Sequence, residues 1–247
     1  YQWIDVSEAE FRTIHEFQSL FCELGLVETI FHLFYSHRKD KDMFRELLIL
    51  CIALLYGGNK VVQDAFYEGF KHDYDNELLI GLVHGLEFLL ETTRDREVQR
   101  IQEAYRQATH HMFNHLSSYP MEGASRDFLI PDQIKTKLLN EFPQDLIADH
   151  EDYDFLLIIL KFLQSLCEGH YLNFQEFLRD QTIVEHSKSF NIPEFLRQNY
   201  HLFYKYHNIH NVEAGIKILD LLIEIQQGES QENIDIMLRK TFINDLC

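Results

Sequence analysis

The chain has 247 residues, a formal net charge of −18 at pH 7, and only 10 Gly and 4 Pro against 20 Phe and 12 Tyr. An acidic surface without clustered Lys and Arg argues against nucleic acid or an anionic membrane surface as a partner, and fits cations, basic protein faces or plain solubility. So few helix breakers with so much aromatic mass imply a helical chain with a large core, and at this length about 70–75% of the unfolded surface can be buried without disulfide or metal.

Helical signals recur along the chain. Ser7 followed by Glu10 reads as a capping box opening a helix to about Leu24, with Phe11, Ile14, Phe17, Leu20 and Phe21 keeping a period near 3.6. Further helices are expected at about 25–36 and 41–56. Gly57-Gly58 stops the latter, and Asn59 caps the next, to Phe70. Asp75 or Asn76 opens a helix to about Thr92, and a more polar one covers 95–118. Residues 119–130 read as an exposed loop, Pro131 starts a helix to about Asn140, and the acidic 143–152 is a linker. Five helices follow, at about 154–168, 171–181, 193–207, 211–227 and 230–245, with Pro193 at a start and Gly228 at an end. About a dozen helices with short joins and no strand-like alternation predict an all-α, armadillo-like α-solenoid rather than a four-helix bundle. The expected divisions are 1–118, a connecting 119–152, and 153–247.

Cys22, Cys51, Cys167 and Cys247 are scattered, without a C-x-x-C pair, and three sit in apolar runs. They read as reduced, in a cytosolic setting. The longest apolar run, Leu47 to Tyr56, is about half of what crosses a bilayer. The chain opens at Tyr1 without a signal peptide, as expected of a segment of a longer polypeptide.

The motifs are mostly structural. Gly57-Gly58-Asn59-Lys60 lacks the upstream Gly and the Ser or Thr of a phosphate loop. Asp73-x-Asp75-x-Glu77 resembles a calcium loop only in its alternating acids, since Leu78 and His84 stand where Gly and Glu are needed. His111 and His115, one turn apart, and the group His201, His207 and His210 lack further ligands at metal spacing and read as surface or packing histidines. Phe31-His32-Leu33-Phe34-Tyr35 reads as a helix–helix contact. No nucleophile–base constellation is visible, so an enzyme is not expected.

Two stretches carry more. Phe162 to His170 reads as an apolar helix ending at Gly169, followed by an amphipathic helix from Phe174 to Gln181. Glu168 at that corner faces the negative end of its helix, which costs a few tenths of a kcal/mol or more unless a cation compensates. Leu221 to Gly228 likewise puts Glu224 near a helix end just before a glycine. The two carboxylates are either separate exposed groups or, if the helices pack side by side, a pair.

Phe162-Leu-Gln-Ser-Leu-Cys-Glu168-Gly-His170, with Phe174-Gln-Glu-Phe-Leu-Arg-Asp-Gln181, resembles the RIH-associated domain of the inositol trisphosphate and ryanodine receptor family. Leu50-Cys-Ile-Ala-Leu-Leu-Tyr-Gly-Gly-Asn59 with Gln63, and Glu224-Ile-Gln-Gln-Gly228, are similar to further family motifs in the same order. Around Glu224 the pattern departs: Ile223 and Ile225 replace Thr and Tyr, and the Pro after the glycine is absent. The resemblance implies a cytosolic segment of an intracellular calcium-release channel, on the endoplasmic or sarcoplasmic reticulum membrane, carrying motion to a pore. It implies Glu168 and Glu224 as Ca²⁺ ligands, with His170 and Gln227 in support. A C-terminal domain would complete the site, so weak Ca²⁺ binding is expected of the segment alone. The implied partners are other domains of the same subunit in a homotetramer, without nucleic acid and without membrane insertion by this segment. The alternative is a non-channel scaffold, cytoplasmic, cytoskeletal or ciliary, that reuses the same helices.

Overall fold

The computed structural model describes residues 8–72, 78–91, 150–184, 189–200 and 209–238, with 99, 102–103 and 106–107. Among them every regular element is a helix, as the α-solenoid reading requires. These are α1 (Glu8–Glu23), α2 (Leu26–Ser36), α3 (Lys41–Leu55), α4 (Lys60–Lys71), α5 (78–91), α6 (His150–Cys167), α7 (Leu172–Phe177), α8 (Ile192–Asn199), α9 (Ile209–Gln226) and α10 (Gln231–Met237). The chain divides into two compact units, Tyr1–Phe88 with Asp154–Cys247, and Leu89–Tyr153; the account below concerns the first. The predicted capping box at Ser7, the acids at 73–77, most of the 95–118 helix, the 119–130 loop, the Pro131 helix and His111, His115, His201 and His207 lie outside the described residues.

The helix starts follow local chemistry. Asp40 accepts from the Met43 amide at 3.0 Å, Asn59 from Val61 at 3.1 Å and Asn191 from Glu194 at 2.9 Å, each occupying a donor that helix geometry leaves over. Pro193 lies in the first turn of α8, as expected. Several boundaries differ from the sequence reading: α8 ends at Asn199 rather than near 207, and α10 at Met237 rather than near 245. Helix α6 begins at His150, so 150–152 is helix and not linker. Helix α7 ends at Phe177 rather than near 181. There the Gln181 side chain takes over backbone bonding: its amide donates to Phe177 O and its Oε1 accepts from Phe190 N at 2.7 Å.

The core follows from burial of aromatic residues at helical spacing. Val62, Phe66 and Phe70 line one face of α4. Phe66 meets Phe31 of α2 at 6.0 Å and Phe162 of α6 at 6.2 Å, while Phe70 meets Phe174 and Phe177 of α7, both at 5.7 Å between ring centroids. Each such side chain contributes about 1.5–3 kcal/mol through burial. The aromatic run on α2 is thus a helix contact through buried Phe31 and Phe34, with Tyr35 exposed. Helix α6 is apolar on nearly all sides, and Leu156, Ile159, Phe162, Leu163 and Leu166 are almost fully buried, as a helix inside a core must be. Cys51 and Cys167 are buried free thiols and Cys22 is half-buried.

Helix α1 departs from its periodic pattern. Phe17, Leu20, Phe21 and, just past its end, Leu24 are exposed, and polar Gln18 is buried. No single described helix is long and apolar enough to cross a membrane; α1 from Phe11 and α2 reach that length only together, bent by 64° at their join.

Buried glutamines recur at helix C-termini, where the last carbonyls have no partner within the helix. Gln18 donates to Ala53 O at 2.9 Å and Tyr56 O at 3.1 Å, closing α3. Gln63 donates to Leu166 O at 3.1 Å and Glu168 O at 2.8 Å, with Ser165 O at 3.5 Å, closing α6. Gln175 donates to Glu224 O at 2.8 Å in the last turns of α9.

Candidate functional site

The Glu168 corner is built by a sharp reversal. After α6 ends at Cys167, Gly169 (φ 73°) and His170 (φ 61°) both take left-handed conformations, and the Tyr171 amide closes the turn on Cys167 O at 3.2 Å. A non-glycine residue there costs roughly 1–2 kcal/mol, which surrounding contacts must offset. Those contacts include the Tyr171 hydroxyl, which donates to Asp64 Oδ1 at 2.5 Å, and the Gln63 amide on Glu168 O. The α3–α4 junction presses on the same carbonyl: a Cβ on Gly58 (φ 70°) would lie 3.0 Å from Glu168 O. The Gly-Gly-Asn segment is thus a helix junction whose glycine admits close approach to the Glu168 backbone.

Glu224 lies in the last turn of α9, which packs against α7, α8 and α10. The α9–α10 turn is held from α7. Asn233 Nδ2 donates to Gln175 O at 3.0 Å, and Gly228 sits directly on the Gln175 side chain, because a Cβ there would lie 1.8 Å from its Oε1. Gly228 lies just past the end of α9, as read from the sequence, and is also a contact surface.

Glu168 and Glu224 share one electrostatic environment. Burial holds the Glu168 carboxyl above the usual carboxylate range; Lys161 draws it down and the Glu224 charge pushes it up again. Burial also lowers Lys161, which Glu168, Asp220 and Glu224 stabilise and Lys217 opposes. The buried Cys167 thiol is raised by desolvation and then by Glu224. Two rows of matching spacing underlie this arrangement. On α6 they are Lys161, Gln164 and Glu168; on α9 they are Lys217, Asp220 and Glu224, each at i, i+3 and i+7. Lys161 Nζ donates to Gln164 Oε1 at 3.3 Å, and Lys217 pairs with Asp220 at 3.5 Å.

Of the four residues named from the sequence, Glu168 and Glu224 are half-buried and lie within reach of each other's charge. His170 and Gln227 stand exposed on the rims of the two turns. The sequence reading missed Lys161, Gln63 and Gln175; the repeated Lys-to-Glu spacing on two helices was the available signal for the first. Among the described residues no group of three or more His, Cys, Asp and Glu side chains converges as a metal cage would. Two carboxylates offer up to four hard oxygens, against the six to eight that Ca²⁺ takes, so the donor set fits part of a calcium shell.

Among the described residues the elements are all helical, and two half-buried carboxylates stand at helix ends. Residues 150–247 match the family described as RyR and IP3R Homology associated. This stretch is thus similar to the RIH-associated domain, which is consistent with the inositol trisphosphate and ryanodine receptor family. The match includes Glu168, His170, Glu224 and Gln227, whereas Gln63 and Gly58 reach the site from outside it.

Proposed function

We propose that this chain is a cytosolic helical segment of an intracellular calcium-release channel, non-catalytic, and that Glu168 and Glu224 supply carboxylates to an activating Ca²⁺ site. The observation that carries this reading is that both glutamates are half-buried at helix ends ahead of glycines, within the stretch that matches the receptor-homology family. Lys161 offsets part of their repulsion before metal arrives. Ca²⁺ would supply what one ammonium cannot, two positive charges and several coordination positions shared by both carboxylates. His170 and Gln227, on the rims, support the ligands. Further oxygens come from another domain of the same subunit, so affinity in this segment alone is low.

As a transducer the segment acts by differential affinity. Ca²⁺ shifts the closed–open equilibrium only as far as it binds one arrangement of α6, α9 and the completing domain better than the other. The family match supports a receptor-homology role, and the location on the cytosolic face of the endoplasmic or sarcoplasmic reticulum within a homotetramer belongs to the same proposal. Glu168→Gln in the whole polypeptide is expected to lower the Ca²⁺ sensitivity of opening with the helical fold intact. An unchanged calcium response would remove the site assignment.

A scaffold reading draws on a different observation, the exposed Phe17, Leu20 and Phe21 on α1 with Leu24 just past its end. It predicts calcium-independent capture of a protein partner that charged substitutions at Phe21 and Leu24 abolish, with E168Q neutral.

A further inference from the structure

The backbone bonds at the two glutamates differ from ordinary capping in one respect: the capped carbonyl belongs to the candidate ligand itself. Gln63, 1% exposed on α4, donates to Glu168 O at 2.8 Å. Gln175, 0% exposed on α7, donates to Glu224 O at 2.8 Å. Each glutamine comes from a helix other than the one that carries its glutamate, and each is locked in place. Gln63 is held by its further bond to Leu166 O, and Gln175 by Gly228 against its Oε1 and by Asn233 on its own carbonyl. Gln175 Oε1 is buried and has no hydrogen-bond partner, so no polar contact turns that amide the other way.

We propose that Gln63 and Gln175 are positioning residues that fix the main chains of Glu168 and Glu224, so that each carboxylate is held at its helix end before metal binds. This rests on the calcium reading above and adds residues to it. Helix ends fray, and two like charges at frayed ends would swing apart; an amide on each carbonyl removes that freedom. Preorganising the ligands lowers the cost of binding, because less order must be imposed when the ion arrives. Helix α3 supplies a natural control. Gln18 closes it in the same manner, on Ala53 O and Tyr56 O, with no carboxylate at the capped positions.

The test is calorimetric Ca²⁺ titration of the whole polypeptide, including the domain that completes the site, well below its melting temperature, with thermal unfolding of the metal-free protein measured alongside. Q63L and Q175L are expected to weaken Ca²⁺ binding about 10-fold, the lower end of what groups orienting metal ligands contribute. G228A acts by an independent route. Its new methyl displaces the Gln175 side chain, and it is expected to weaken binding as Q175L does while leaving Gln175 in the sequence. Q18L lowers the melting temperature as Q63L does but leaves Ca²⁺ affinity within 2-fold of the parent. Equal loss of affinity in Q18L and Q63L would show a purely structural role and overturn the proposal. So would parent affinity in Q63L and Q175L while E168Q and E224Q lose it. Absence of binding in the parent, or indifference to both glutamate substitutions, removes the calcium reading itself and the inference with it.

Discussion

Two corners of the molecule use the same parts to different ends. At the α3–α4 corner Asn59 is 4% exposed and bonded on all sides: Nδ2 donates to His15 O at 3.0 Å, Ser19 Oγ at 3.1 Å and Gln18 Oε1 at 3.2 Å, while Oδ1 accepts from Val61 N. The Asn59 amide there finds all its partners within the chain. At the corners ending α6 and α9 the backbone is equally well held, but the side chains are not matched. Two carboxylates repel, a lysine is partly desolvated between opposing charges, and two consecutive residues are left-handed. A polar network built for stability satisfies its members mutually, whereas one built to receive a ligand keeps a charge imbalance that the ligand resolves. The contrast teaches that the backbone capping and the side-chain chemistry of a helix end can be assigned to separate tasks.

The largest expected effect breaks the first corner. Asn59→Ala removes a helix cap and leaves the partners of a buried amide unsatisfied, and should cost about 3 kcal/mol in denaturant unfolding. Calcium affinity should stay at the parent value. A cost under about 1 kcal/mol would mean that water replaces the network and that the two corners are less different than described.

Tyr171→Phe touches the second corner at its support. The hydroxyl donates to Asp64, which is exposed and can return to water, so the expected loss is about 1 kcal/mol, measured in the same unfolding experiment. Amide exchange should quicken at Tyr171, whose N–H closes the turn, and not at Val61. Uniform acceleration at both amides would contradict independent corners.

The smallest effect has the opposite sign. The folded-state pKa of Glu168 is raised above its ordinary value of 4.5, chiefly by burial. The folded chain therefore holds its proton to higher pH than the unfolded chain does. Stability from this group is greatest below 4.5 and falls as pH rises through the raised value, leaving a net penalty at neutral pH. Glu168→Gln removes that penalty and should raise the apo melting temperature slightly near neutral pH, with the gain disappearing below about pH 4. A loss of stability at neutral pH would show that Lys161 overcompensates the desolvation.

Much of the local structure was legible in the sequence because local chemistry decides it. The Asn59 cap, the Pro193 start, the stop at Gly57-Gly58 and the helical course of α1 to α4 depend on side chains within four residues of the backbone groups they serve. The boundaries that moved did so for reasons of the same kind. Helix α6 starts earlier, at His150, and Gln181 ends α7 by donating from its side chain to Phe177 O. Periodicity misled on α1, where a 3.6 pattern identified an apolar stripe but could not say whether this chain covers it; Phe17 and Leu20 remain exposed.

The sequence alone determined an all-helical chain, the helix caps, and Glu168 and Glu224 as carboxylates at helix ends ahead of glycines, with the receptor-homology resemblance that gives them a role. Only the tertiary structure decided that both glutamates are half-buried, that Gln63, from more than a hundred residues upstream, closes the helix leading to Glu168, and that Gly228 is pressed against Gln175. Local bonding is encoded within a turn of chain, and so can be read from it. The approach of two helix ends depends on how every aromatic residue of the core packs, and no single stretch of sequence contains that information.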